Sequence, residues 1–284
     1  MKKSRAILLS LRIILLLTLP LMGLLAQSGT TTSEEETSEN SRLVLLAEDS
    51  YLKGLELEEE RKGAGRDDFL KSAAYYKTLI EERGILNEHI FFNQGNAYLN
   101  GGETGEAVLS YNRALRFAPM NKAIRYNLHQ AEEKIGNRIS SSSPEEIKRI
   151  LFFFHYDITG KMKGLILLIM SLILWGILIT GLYKPAIRRF ILIPLIPALI
   201  FGTSLLVEVV SERLHPQLVL TAEKTVARKG DSASYAPAFD APLEGGTSGK
   251  MMDEQGEWWL IRLEGGIECW IPGENAAFVD PASL

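Results

Sequence analysis

The chain reads as a multidomain membrane protein: an all-α array of helical repeats, then a transmembrane helical hairpin, then a small all-β barrel. Three observations predict this layout. Apolar residues make up 46% and charged residues 23% of the chain, which are ordinary values, but the apolar ones are concentrated in three long runs between charge-rich stretches. Small and aromatic residues recur at helix-pair spacing in the first half. In the last quarter the pattern changes to short β-type runs (LVLT, WWLIRL, ECWI) between glycine-rich turns. With 284 residues, more than one folding unit is expected.

Lys2, Lys3, Arg5 and Arg12 precede an uncharged run over residues 13–26, which matches the apolar region of an export signal and falls short of a bilayer span. Residues 1–26 therefore read as a signal peptide. Ala26 suits cleavage, whereas Leu24 departs from the small-x-small preference, so a cleaved leader and a retained anchor both stay open. Residues 27–42, with SGTTTSEEETSENS at their centre, are polar and free of aromatic side chains, and are expected to be a disordered tether.

Helical spacing resumes over residues 43–60 and 67–82, on either side of the breaker Gly63-Ala64-Gly65, and predicts an antiparallel helix pair. The following stretch, NEHIFFNQGNAYLNGGETGEAVLSYNRALRFAPMN over residues 87–121, carries more information. Gly95, Ala97, Ala107 and Ala114 allow two helices to approach, Phe91, Tyr98 and Tyr111 fill the space between them, and Pro119 ends the second helix. With Gly102, these positions resemble one tetratricopeptide repeat. Lys122 begins a further first-helix pattern (Tyr126, Leu128, Ala131) that reads as a terminal capping helix, which gives a repeat domain over residues 43–139.

The resemblance implies a concave groove that binds a protein segment. Its expected lining is His89, Phe92, Asn93, Asn96, Asn100, Tyr126, Asn127 and Gln130. Side-chain amides can bond both donors and acceptors of an extended backbone. The alternative is that these asparagines are solvated or bonded within the fold. Phe92 stands where carboxylate-clamping repeats carry lysine, so capture of a chain terminus is not expected.

Residues 140–163 form a linker. The helical pattern from Glu145, with Ile147, Ile150, Leu151 and Phe154 on one face, suits an interfacial helix or a last helix packed on the repeats. Residues 164–183 (GLILLIMSLILWGILITGLY) are uncharged and about 30 Å long as a helix, the thickness of a hydrocarbon core. Residues 190–210 form a second span, which Pro194 and Pro197 should kink. The link over residues 184–189 is too short for anything but a hairpin, so the flanking regions share one side of the membrane. Cationic residues flank both ends of the hairpin, and the leader decides the orientation: link cytoplasmic, both soluble regions extracytoplasmic in the cell (inner) membrane.

After the hairpin come the segments Val226-Ala227-Arg228-Lys229-Gly230-Asp231-Ser232, residues 243–247, Glu257-Trp258-Trp259-Leu260 and Gly266 with Cys269-Trp270-Ile271. With these segments, residues 218–284 resemble a bacterial SH3 domain. Cys269 replaces the glycine usual in that family, so a Cβ has to fit there. Tyr235, Trp258 and Trp270 are candidates for a shallow groove that would hold a peptide or cell wall; alternatively the two tryptophans fill the core of a small domain.

A net charge of −4 supplies no cationic excess for nucleic acid. The single cysteine excludes an intrachain disulfide and a CxxC pair. Four scattered histidines lack ligand spacing, and no phosphate loop, G-x-S-x-G elbow or H-E-x-x-H motif occurs. Neither a metal, a cofactor nor enzymatic activity is expected. The order of parts, with NQGNAY over residues 93–98 and the segments 111–119 and 123–131, resembles the BatE-type proteins of the Bacteroides aerotolerance (Bat) operons. That resemblance implies a non-catalytic adaptor or scaffold in an envelope stress or aerotolerance complex. Its partners would be von Willebrand factor A-domain membrane proteins and, indirectly, a MoxR-type ATPase. A cell-wall-binding sensor is the alternative.

Overall fold

The computed structural model describes residues 34–135, 158 and 160–280. The leader and the segment read as an interfacial helix lie outside the described residues. Five helices make the first layer: α1 (Glu34–Glu60), α2 (Arg66–Glu81), α3 (Glu88–Asn100), α4 (Thr104–Phe117) and α5 (Lys122–Glu133). The expected tether is corrected in part, since α1 already includes residues 34–42.

Asn87 and Asn121 cap α3 and α5, each side chain accepting from two backbone N–H groups of the first turn. The α3–α4 pair closes on glycine: a Cβ at Gly95 would lie 2.6 Å from the Tyr111 ring. Phe91, Ala97, Ala107, Tyr111 and Ala114 are fully buried around this contact. The α1–α2 pair repeats the device. Gly54 lies as close to Phe69, with 2.7 Å left for a Cβ, and the Ser72 hydroxyl donates to the Ala47 carbonyl at 2.7 Å.

Two further helices, α6 (Gly160–Tyr183) and α7 (Leu192–Leu214), are joined by a 3-10 turn over Pro185–Phe190. Both are long and apolar enough to cross a membrane. α6 ends at Tyr183 as expected, but the other limits differ: α6 starts inside the expected linker, Phe190 belongs to the turn, and α7 runs on to Leu214. The expected kink at Pro194 is corrected. Pro194 falls in the first turn of α7, where a backbone donor has no helical acceptor to serve, so only Pro197 interrupts the ladder.

The last layer has seven strands: β1 (Gln217–Leu220), β2 (Lys224–Thr225), β3 (Leu243–Glu244), β4 (Ser248–Gln255), β5 (Trp258–Leu263), β6 (Glu268–Pro272) and β7 (Ala276–Phe278). Five form an antiparallel sheet in the order β6-β5-β4-β1-β7, and β2 pairs with β3. The expected barrel is corrected to an open sheet with a separate ribbon. Two-residue strands supply too few ladder bonds to close it, and Arg228 meets β6 only through an isolated bridge to Trp270. Cys269 is buried in the sheet's core opposite Ile261, so its Cβ is accommodated inward. Burial pushes its thiol pKa up to about 12, which leaves it unreactive.

Helices and sheet share a core. In β1, Leu218 and Leu220 face the sheet's own core while Val219 enters the helical one. The same alternation continues through β7: Ala276 and Phe278 face one way, Ala277 and Val279 the other. Helix α4 supplies the opposing surface. A Cβ at Gly105 would stand 2.7 Å from the Leu220 carbonyl oxygen, and Gly246, at φ +97°, leaves 2.6 Å to Ile135. Arg113 donates from Nε (3.3 Å) and Nη2 (2.9 Å) to the Phe278 carbonyl, and Arg116 lies 3.6 Å from Asp280.

Candidate partner-binding surfaces

The predicted groove residues divide into a row that is tied across helices and an outer set. Asn96 and Asn127, on α3 and α5, meet: Asn127 Nδ2 donates to Asn96 Oδ1 at 2.7 Å, and the Tyr111 hydroxyl donates to the same oxygen at 2.8 Å. Asn93 is hydrogen-bonded to Tyr76, and Asn100 Nδ2 donates to the Tyr51 hydroxyl at 2.7 Å. Burial raises the pKa of all three tyrosines, and the asparagine bonds partly offset it. They therefore stay neutral and act as fixed hydroxyls. Phe92 packs 6.0 Å from Tyr111, centroid to centroid, beside this row.

His89 and Tyr126 are exposed, His89 lying 3.4 Å from Glu88 of its own helix. Gln130 Nε2 donates to Glu133 at 3.0 Å. Because Asn96 Oδ1 already accepts two bonds, what this pair offers a ligand is the Asn96 amide N–H groups and the Asn127 carbonyl. One donor and one acceptor at adjacent positions match the alternating groups of an extended backbone. Tyr51 and Tyr76 are not among the expected site residues. Their signal is weak in sequence, because each bonds across helices rather than along one.

On the sheet, pairing of Leu260 with Trp270 and of Trp258 with Pro272 puts the two tryptophans on one face as diagonal neighbours. Both are half-buried. Trp259 points the other way, stacks on Phe278 at 4.9 Å and is held against Gly273, so it is the tryptophan that packs against the sheet's core. Tyr235 is 49% exposed and lies over Gly230. Arg228 joins it to Trp270, donating Nη1 to the Tyr235 carbonyl at 3.0 Å while its backbone pairs with Trp270. Asp253, Gln255 and the Arg262–Glu268 pair (2.6 Å) share the tryptophan face by register. Where helices and sheet meet, a cleft of about 370 Å³ is lined from both sides, by Arg66, Glu103 and Lys134 and by Thr221, Glu223 and Lys224.

A family model for the TPR repeat matches residues 95–136, from the middle of α3 through α4 and α5. The chain thus contains a tetratricopeptide repeat, a module that mediates protein–protein contact. Comparison with curated proteins and with solved structures finds no match.

Proposed function

We propose that this chain is a non-catalytic, membrane-anchored adaptor that holds a protein segment in its tetratricopeptide groove. The Asn96–Asn127–Tyr111 cluster carries the reading, since it presents backbone-type donors and acceptors in a fixed arrangement. Anchoring rests on α6 and α7 as a transmembrane hairpin. The shared core of helices and sheet is consistent with it, because two regions that pack together must lie on one side of the bilayer, as an even number of spans requires. The sheet with its β2–β3 ribbon is read as an SH3-like module fused to the repeats. By resemblance to BatE-type proteins, the partners are von Willebrand factor A-domain membrane proteins, with a MoxR-type ATPase acting through them in an envelope stress or aerotolerance complex. Both soluble parts are placed outside the cytoplasm.

Asn96 and Asn127 separate binding from folding. Asn96→Ala leaves the Tyr111 hydroxyl without its acceptor and should cost about 1–3 kcal/mol of stability. Asn127→Ala leaves the Tyr111–Asn96 bond in place, and should keep the fold while weakening capture of a von Willebrand factor A-domain protein three- to about tenfold. Co-purification from neutral detergent reads this out; full capture by a folded Asn127→Ala protein would remove the groove from the proposal. An alkaline phosphatase fused after Leu284 should be active and one inserted in the 184–189 link inactive. The reverse pattern would move both modules to the cytoplasm.

A second reading has its own observation. Trp258 and Trp270 lie on the open face of the sheet beside Tyr235, Asp253 and Gln255, and aromatic faces edged by planar polar groups suit a glycan or an extended peptide. A cell-wall-binding sensor would use that face. Sedimentation of the full chain with purified cell wall, lost in Trp258→Ala and Trp270→Ala, would favour it over the adaptor.

A further inference from the structure

Helix α1 buries Ala47, Ser50 and Gly54 toward α2, and its opposite side has no neighbour among the described residues. On that side Leu45 is 65% and Leu52 64% exposed, and Leu55, at its edge, is 40% exposed. At 100° per residue, Leu45, Leu52, Glu48, Asp49, Glu56 and Glu59 fall within an arc of about 100°, opposite the buried residues. Terminal elements of repeat arrays ordinarily keep a polar outer face for solubility. Leucines two turns apart, alternating with carboxylates, depart from that rule.

The charges decide what kind of surface fits. The basic residues of α1 are Arg42 and Lys53, and Lys53 is taken up by Asp68 at 2.8 Å. Among the described residues no ion pair engages Glu48, Asp49, Glu56 or Glu59, and all four are exposed. A second copy presenting the same face would set carboxylate against carboxylate, and an anionic lipid surface would be repelled. The complementary surface has apolar residues at i, i+3/i+4 and i+7 flanked by lysine or arginine. We infer that the outer face of α1 is a docking site for a cationic amphipathic helix of a partner protein, distinct from the repeat groove.

The test uses the full chain in zwitterionic nanodiscs and a fluorescent synthetic helix of leucine and lysine with leucines along one face. A peptide of the same composition with the leucines scattered serves as its control. Anisotropy titration should show saturable binding of the amphipathic peptide at least tenfold tighter than of the control. Leu45→Gln with Leu52→Gln should weaken binding about tenfold, as should Glu48→Gln, Asp49→Asn, Glu56→Gln and Glu59→Gln together. The first pair sits in solvent, so unchanged circular dichroism is expected to accompany the loss. Equal binding of both peptides, or binding unchanged by both sets of substitutions, would overturn the assignment. So would a chain that is dimeric through α1 and becomes monomeric in Leu45→Gln/Leu52→Gln, which would give the face to a second copy.

Discussion

Replacing Arg113 with methionine should lower the unfolding free energy by about 2–4 kcal/mol and part the sheet from the helices. The side chain is 7% exposed, its guanidinium lies 6.0 Å from the Phe91 ring centre, and two of its donors reach the Phe278 carbonyl. Methionine fills similar volume but leaves that carbonyl without its donors and Glu106 with one fewer opposing cation, Lys77 remaining. Burial raises the Glu106 pKa, and Lys77 and Arg113 oppose the rise, so loss of Arg113 exposes the carboxylate's desolvation cost. Lysine at 113 would restore charge without the two-donor fork and should recover part of the loss. The experiment has a built-in division of signals. Trp258, Trp259 and Trp270 are in the sheet, none is in α1 to α5, and Trp175 in the hairpin adds a background. Ellipticity and tryptophan fluorescence should report one transition in the parent and two in Arg113→Met, the sheet's coming first. Coincident transitions at an unchanged midpoint would mean that the helix–sheet contact contributes little.

The parts of the fold governed by short-range pattern are legible in the residues. Gly95 with Tyr111, Ala97, Ala107 and Ala114 specify one close-packed helix pair at fixed spacing, and uncharged runs specify the hairpin. The union of the two soluble parts leaves only a trace: Leu218-Val219-Leu220 is continuously apolar where a one-faced strand would alternate. A strand buried on both faces needs a second layer, and α4 is that layer. Arg113 is harder to find, because an arginine in a helix ordinarily reads as solvated and its acceptor lies 165 residues further on. Among the groove residues, the Asn96–Asn127 contact follows from repeat geometry, whereas the tyrosines that hold Asn93 and Asn100 come from helices whose match to the repeat pattern is weak. The tether departs from expectation for another reason. Low apolar content excludes independent folding, but a segment continuous with an anchored helix can extend that helix at little cost.

Lys163→Met should be the most damaging single substitution in the hairpin, at about 3–5 kcal/mol. Lys163, in the first turns of α6, is fully buried and stands 2.5 Å from Glu208 near the end of α7, so the pair locks the hairpin at the end away from its link. Removing the ammonium leaves the half-buried Glu208 carboxylate without this counter-charge. Replacing both partners, Lys163→Met with Glu208→Leu, should recover most of the loss, since no charge is then stranded. Thermal denaturation of detergent-solubilised protein, arranged as a double-mutant cycle, measures the coupling; additive single costs would mean that the two charges act separately. The consequence extends past the hairpin. Only His215 and Pro216 separate α7 from β1, and β1 is clamped to α4 through Val219 and the close approach of Gly105. A change in the register of α7 against α6 is thus delivered to β1 with little slack, and from β1 to the helical array. Lys163→Met should for that reason also broaden the fluorescence transition of the sheet, a distant effect that the paired Met/Leu replacement should reverse.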